Sequence, residues 1–106
     1  MTDVSAVFVT LGKAQDASVM GRKLVEEKLV ACVNIIPRIR SIYWWKGEVC
    51  DDEEVLMIMK TRSSLIPSLK DRIRELHSYE VPEIISFKID QGLQDYLDWV
   101  VESTSQ

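Results

Sequence analysis

His77 is the only histidine in the chain. It stands where a side chain could do chemistry, at the end of a helical segment and shortly before Glu83. An imidazole and a carboxylate together could hold a divalent cation. A histidine at a helix C-terminus can instead stabilise the last carbonyls. A lone carboxylate beside Pro82 can equally be a solvated residue at a strand start. The run Asp51, Asp52, Glu53 and Glu54 has the same two readings: it could attract cations, or form a solvated edge that discourages wrong strand pairing. Arg38 and Arg40 could take an anion such as a phosphate, but no glycine-rich loop or helix N-terminus stands beside them. Tyr43, Trp44 and Trp45 could stack on a ligand or form a subunit interface. The chain has no Gly-x-Ser-x-Gly elbow and no phosphate-binding P-loop. These residues read as a binding or assembly surface and not as an enzyme.

The elements that must position them follow from periodicity. Residues 34–62 read as two strands joined at a tight turn at Lys46-Gly47, where glycine tolerates positive φ. Ile39, Ser41, Tyr43 and Trp45 take one face of the first arm; Arg38, Arg40, Ile42 and Trp44 take the other. In the return arm Val55, Met57 and Met59 alternate with Leu56 and Ile58, as in a strand buried on both sides. An arm from Ala31 to Lys46 would run roughly 50 Å at about 3.3 Å per residue, too long for a small domain to cover alone. Pro37 lacks a backbone N–H and marks an edge or a bulge.

Val4–Leu11 reads as a short buried strand. Residues 14–29 read as a helix with Ala17, Met20, Gly21, Leu24 and Val25 on its apolar face. Ser63 or Ser64 caps a second helix, which has Pro67 in its first turn, buries Ile66, Leu69, Ile73 and Leu76, and ends near His77. Tyr79 to Glu83 is a connector, Ile84–Ile89 a fourth strand, and Leu93, Tyr96, Leu97 and Val100 mark a last helix before a frayed polar tail, ESTSQ. The order β-α-β-β-α-β with an extra C-terminal helix is the ferredoxin-like α+β pattern. It puts the first hairpin arm at a sheet edge, and a long aromatic edge invites a second chain.

A chain of 106 residues, with 46% hydrophobic and 28% charged residues, fits one domain, residues 1–106. A net charge of −4 argues against nucleic acid as a partner. No apolar run is long enough to span a membrane, and the N-terminus lacks the marks of a signal peptide. With hairpin positions summing to about 93, Cys50 faces Tyr43 and Cys32 faces Thr61, so the cysteines are not partners. Two free thiols suit a reducing, cytoplasmic location.

The segments ACVNIIP, SIYWWKGEV, EVLMIMKTRSSL, HSYEVPE and YLDWV, in this order and spacing, resemble the CutA family of divalent cation tolerance proteins. The resemblance covers about residues 6–101. It implies a homotrimer of ferredoxin-like subunits, similar in architecture to PII signalling proteins, in which each long hairpin wraps a neighbour. It also implies a link to copper and other divalent cations, with no established reaction. The family's copper site uses a cysteine at the end of the first strand and two adjacent histidines after the second helix. Here those positions are Val9, Leu76 and His77, and Ser78 replaces the proline that usually follows. The expectation is therefore weak divalent-cation binding at His77, with Glu83 as an oxygen ligand. A structural or scaffolding trimer, or a small-anion sensor that docks onto a protein partner, is the alternative.

Overall fold

The computed structural model describes residues 2–105. The elements run β1 (Val4–Leu11), α1 (Ala14–Glu26), β2 (Cys32–Trp45), β3 (Glu48–Arg62), a 3-10 turn (Ser63–Leu65), α2 (Ile66–Leu76), β4 (Ile84–Lys88) and α3 (Gln94–Ser103). The four strands form one antiparallel sheet in the order β2-β3-β1-β4, so β2 and β4 are its edges. This is the expected ferredoxin-like arrangement with an added helix.

One sheet face carries the core. Val7, Val9 and Leu11 of β1 and Val55, Met57 and Met59 of β3 pack against Ala17, Met20 and Leu24 of α1 and Leu69 and Ile73 of α2. The alternation is the strand period of two meeting the helix period of about 3.6. On the other face, α3 covers only one end, where Leu97 and Val100 pack on Val4 and Ala31. The rest of that face stays open. Phe8, Leu56 and Ile58 are half-buried, and Ile36, Ile85 and Phe87 are exposed. Phe8 and Phe87 meet edge to face at 5.1 Å. Within one chain, β3 is thus fully buried on one side only.

The hairpin turns at Lys46-Gly47, with φ of 49° and 81°, and Trp45 pairs with Glu48. Positive φ at both central residues is the type I′ geometry that matches strand twist. β1 stops opposite Val55, so Ile39–Glu54 projects beyond the sheet as a two-stranded ribbon. Pro37 and Arg38 form the expected bulge, with Arg38 at φ 62°. They place one extra residue in β2 between the pairs Ile36–Leu56 and Ile39–Glu54. Cys32 therefore faces Lys60, not Thr61, while Cys50 faces Tyr43 as expected. Both thiols are free.

Three boundaries differ from the sequence reading. α1 ends at Glu26 because Lys28 enters the left-handed region at φ 60°. The Leu29 N–H then bonds the Leu24 carbonyl and the Lys28 N–H the Val25 carbonyl, a Schellman motif built without glycine. Neither serine caps α2; Ser63 Oγ lies 2.7 Å from Ser5 Oγ instead. The tail is not frayed through Thr104. That residue is buried, and the Arg62 guanidinium donates to its Oγ1 at 2.9 Å and to its carbonyl at 2.7 Å.

Candidate functional site

The projecting ribbon and the sheet end make a corner, and residues 78–83 cross it from α2 to β4. The corner holds a cleft of about 880 Å³ lined by both arms of the ribbon, Thr10 and the connector. The bulge decides which side chains reach it. Before the bulge, Val33 and Ile35 lie opposite Met59 and Met57 on the helix side. After it, Ile39 pairs with Glu54, so Tyr43 and Trp45 share the open side with Asp52 and Glu54. Trp44 takes the opposite side and is 74% exposed.

His77 is the C-cap of α2 and only 9% exposed. The Tyr79 N–H donates to its Nδ1 at 3.0 Å, so the ring proton is on Nε2, which donates to the Thr10 carbonyl at 2.7 Å. The ring also lies 4.7 Å from the Tyr79 ring. The imidazole thus ties the connector to the end of β1. Its two nitrogens are both occupied, and a neutral imidazole offers a metal only one lone pair. A cation would have to displace the Tyr79 amide.

Tyr79 carries the tie onward. Its O–H donates to Glu54 Oε2 at 2.6 Å, at the root of the ribbon. Burial, then the hydrogen bond to Glu54, push the Tyr79 phenol above its ordinary range. Gly12 leaves room for this phenol: a Cβ at this position would sit 3.2 Å from the Tyr79 hydroxyl, close enough that the ring would have to shift by a few tenths of an ångström. Glu54 is 6% exposed and has no basic partner among the described residues. Further along the ribbon, Tyr43 O–H donates to Asp52 Oδ2 at 2.6 Å. That bond, with burial and nearby negative charge behind it, pushes the phenol up to about 12. Arg40 grips Asp51 through Nε at 2.8 Å and a second bond from Nη2. The guanidinium holds the Asp51 carboxyl below its usual range. At the tip, Lys46 Nζ lies 3.5 Å from Glu80 Oε2 and 5.4 Å from the Trp45 ring centre.

The residues singled out in the sequence are therefore distributed unevenly. Glu83 is exposed and lines the cleft; His77 lies behind the connector. Val9 and Leu76 offer no donor atoms: Val9 is core and Leu76 packs against it. No group of three or more His, Cys, Asp or Glu side chains is placed to hold an ion among the described residues. This donor set does not fit a copper centre. The acidic run is not one solvated edge either: Asp51 is in an ion pair, Asp52 holds a phenol, and Glu54 is buried. Tyr79 is the site residue that sequence reasoning missed, and Glu54, named there only within the acidic run, is buried and not at a solvated edge. The signal for Glu54 was its strand parity, which puts it directly beside Leu56 and Ile58 on one face of β3.

Comparisons with known proteins agree with this architecture. The family described as "CutA1 divalent ion tolerance protein" matches residues 5–103. The human "Protein CutA" is 50% identical over 95% of this chain, which spans 56% of that longer relative. The "Divalent-cation tolerance protein CutA" of Thermus thermophilus is 46% identical over 92% of this chain and 95% of its own length. The crystal structure of CutA1 from Oryza sativa superposes with a TM-score of 0.95 at 40% identity, covering 99% of this chain and 96% of that one. With the hairpin, the bulged edge and the added helix in place, the chain belongs to the CutA1 divalent ion tolerance family.

Proposed function

We propose that the chain acts as a non-catalytic homotrimer that handles divalent cations weakly and without copper selectivity. The observation that carries the assembly is the open sheet face. Ile36, Ile85 and Phe87 are exposed on it, Phe87 at 52%, beside half-buried Phe8, Leu56 and Ile58. A contiguous apolar face of this kind marks a surface meant to be covered. Both sheet edges are also unpaired, one of them long, which favours edge pairing between copies. In such an assembly Trp44 contacts a neighbour, while Tyr43 and Trp45 wall the cleft at the subunit boundary.

An imidazole base is not on offer, because the one histidine is committed at both nitrogens. Any cation at His77 competes with the Tyr79 amide, and Glu83 supplies an oxygen ligand at most. That makes the contact weak. A sensor of anions is not favoured, because the cleft is lined by Asp52, Glu54, Glu80 and Glu83 against Arg40, which is already paired. No described helix is long and apolar enough to cross a membrane, and the two free thiols suit a reducing compartment such as the cytoplasm.

Light scattering on untagged protein, with elemental analysis of the same sample, tests the reading. The expected mass is three times the 12.2 kDa chain, with metal far below one ion per chain. A monomer, or one tightly held copper per chain, would refute it.

A further inference from the structure

We propose that residues 78–83 form a hinged strap that gates His77, with Tyr79 as its bolt on Glu54. The strap joins α2 to β4 yet shares little with the core. Ser78, Glu80 and Glu83 are exposed, Val81 is 66% exposed, and no strap residue belongs to either apolar cluster. Among the described residues, no backbone-to-backbone hydrogen bond outside the helices and strands involves residues 78–82. Side chains hold the segment instead. The Tyr79 N–H donates to His77 Nδ1 at 3.0 Å, the Tyr79 O–H donates to Glu54 Oε2 at 2.6 Å, and Glu80 meets Lys46 at 3.5 Å. The last pair is exposed on both sides and contributes little. Tyr79 therefore carries the closed position almost alone.

The groups behind the bolt are buried, His77 at 9% exposure and Glu54 at 6%. The Tyr79 ring lies 4.7 Å from the imidazole and its hydroxyl rests on the carboxylate. Tyr79 itself is 37% exposed. A ring already partly in water loses little burial when it swings out, and a carboxylate released by a phenol regains water. Local opening is therefore less costly than unfolding, as in other segments with few buried contacts. The rest of the corner can stay in place. His77 keeps its Nε2–H on the Thr10 carbonyl at 2.7 Å, and α2 stays packed through Leu69 and Ile73. The strap's ends are fixed: the backbone turns from helical to extended at His77, with ψ 141°, and β4 begins at Ile84 against Val9. The open state presents the Nδ1 lone pair and the Glu54 carboxylate to the cleft together. The gate works within one chain and rests neither on the trimer nor on a cation.

The chain has one histidine, so imidazole chemistry reads the gate directly. Diethyl pyrocarbonate acylates the free lone pair of a neutral imidazole, which the Tyr79 amide occupies in the closed state. The rate at His77 is followed by peptide mass on the whole protein at fixed pH. It should be at least about a hundredfold below that of the protein unfolded in guanidinium. Tyr79→Phe keeps the ring but loses the bolt, and should raise the rate about tenfold. Asp51→Asn breaks an exposed ion pair farther along the ribbon and should leave the rate unchanged. Below the unfolding transition the wild-type rate should be nearly flat in urea, as for a local opening; opening only by global unfolding would make it rise steeply. Circular dichroism checks each fold, and if Tyr79→Phe does not fold, the urea dependence of the wild type decides. A wild-type rate equal to the unfolded one, an unchanged rate in folded Tyr79→Phe, an equal rise in Asp51→Asn, or a wild-type rate that follows global unfolding would each overturn the proposal. Solution mass is measured separately, so a failed trimer and a failed gate are distinguishable.

Discussion

Replacing His77 by alanine should destabilise the fold far more than removal of a surface ligand would. The ring makes two hydrogen bonds, to the Thr10 carbonyl at 2.7 Å and from the Tyr79 amide at 3.0 Å. Each is worth about 1 kcal/mol net, and more where the partner is left unpaired away from water. The buried ring also packs at 4.7 Å on Tyr79, a contact of about 0.5–1.5 kcal/mol. The total is about 3 kcal/mol. It falls on the link that holds Tyr79 against Glu54, so the connector should loosen as well. Urea unfolding followed by circular dichroism, at one fixed protomer concentration because assembly shifts apparent stability, reads the effect. With a slope of about 1.5 kcal/mol/M, the midpoint should fall by about 2 M. A change below about 0.5 kcal/mol, the scale of an ordinary surface substitution, would refute the reading of His77 as a structural tie. It would return the residue to the pool of free ligands.

Two other outcomes follow from the same geometry. All three tyrosines are shifted upward: Tyr43 to about 12 through its bond to Asp52, Tyr96 to about 12 through burial and then Cys32, and Tyr79 through burial and then Glu54. A raised phenol favours the neutral form in the fold. Its stabilisation is complete below the unfolded value of about 10 and is lost as pH rises toward 12. Ultraviolet titration of phenolate should show no native tyrosine titrating near pH 10 and normal titration in guanidinium; one native phenol with an ordinary midpoint would count against the assignment. Replacing Trp44 and Trp45 together by serine should lower the melting temperature and dissociate the oligomer, because large aromatics dominate interface energetics. Unchanged mass and melting temperature would mean these rings serve something other than assembly.

The fold was legible because its signals are local. Alternation in VSAVFVTL and VLMIMK gave the strands, three- and four-residue spacing gave the helices, and Lys46-Gly47 gave the turn. Pro37 gave the bulge, since a missing N–H has few places in a sheet. The misplaced boundaries are those with non-local or atypical causes. Lys28 adopts a left-handed conformation that normally announces itself by glycine. Thr104 is buried by an arginine far away in sequence. Neither leaves a pattern in its own neighbourhood.

The site was less legible for a related reason. Its composition depends on which way the ribbon faces, and one extra residue at Pro37-Arg38 settles that. Without the bulge, Tyr43 and Trp45 would continue the helix-side face of Val33 and Ile35, away from Asp52 and Glu54. With it, the aromatics and the carboxylates share one side, and Tyr79 can close the corner from α2. The four acidic residues look alike in sequence, yet Asp51 pairs with Arg40, Asp52 with Tyr43 and Glu54 with Tyr79, while Glu53 is exposed. What distinguishes them is strand parity combined with burial. On that reasoning the bulge is part of the site, because it lets one continuous arm pair Val33 and Ile35 with the helix side of β3 and Tyr43 and Trp45 with the side of Asp52 and Glu54.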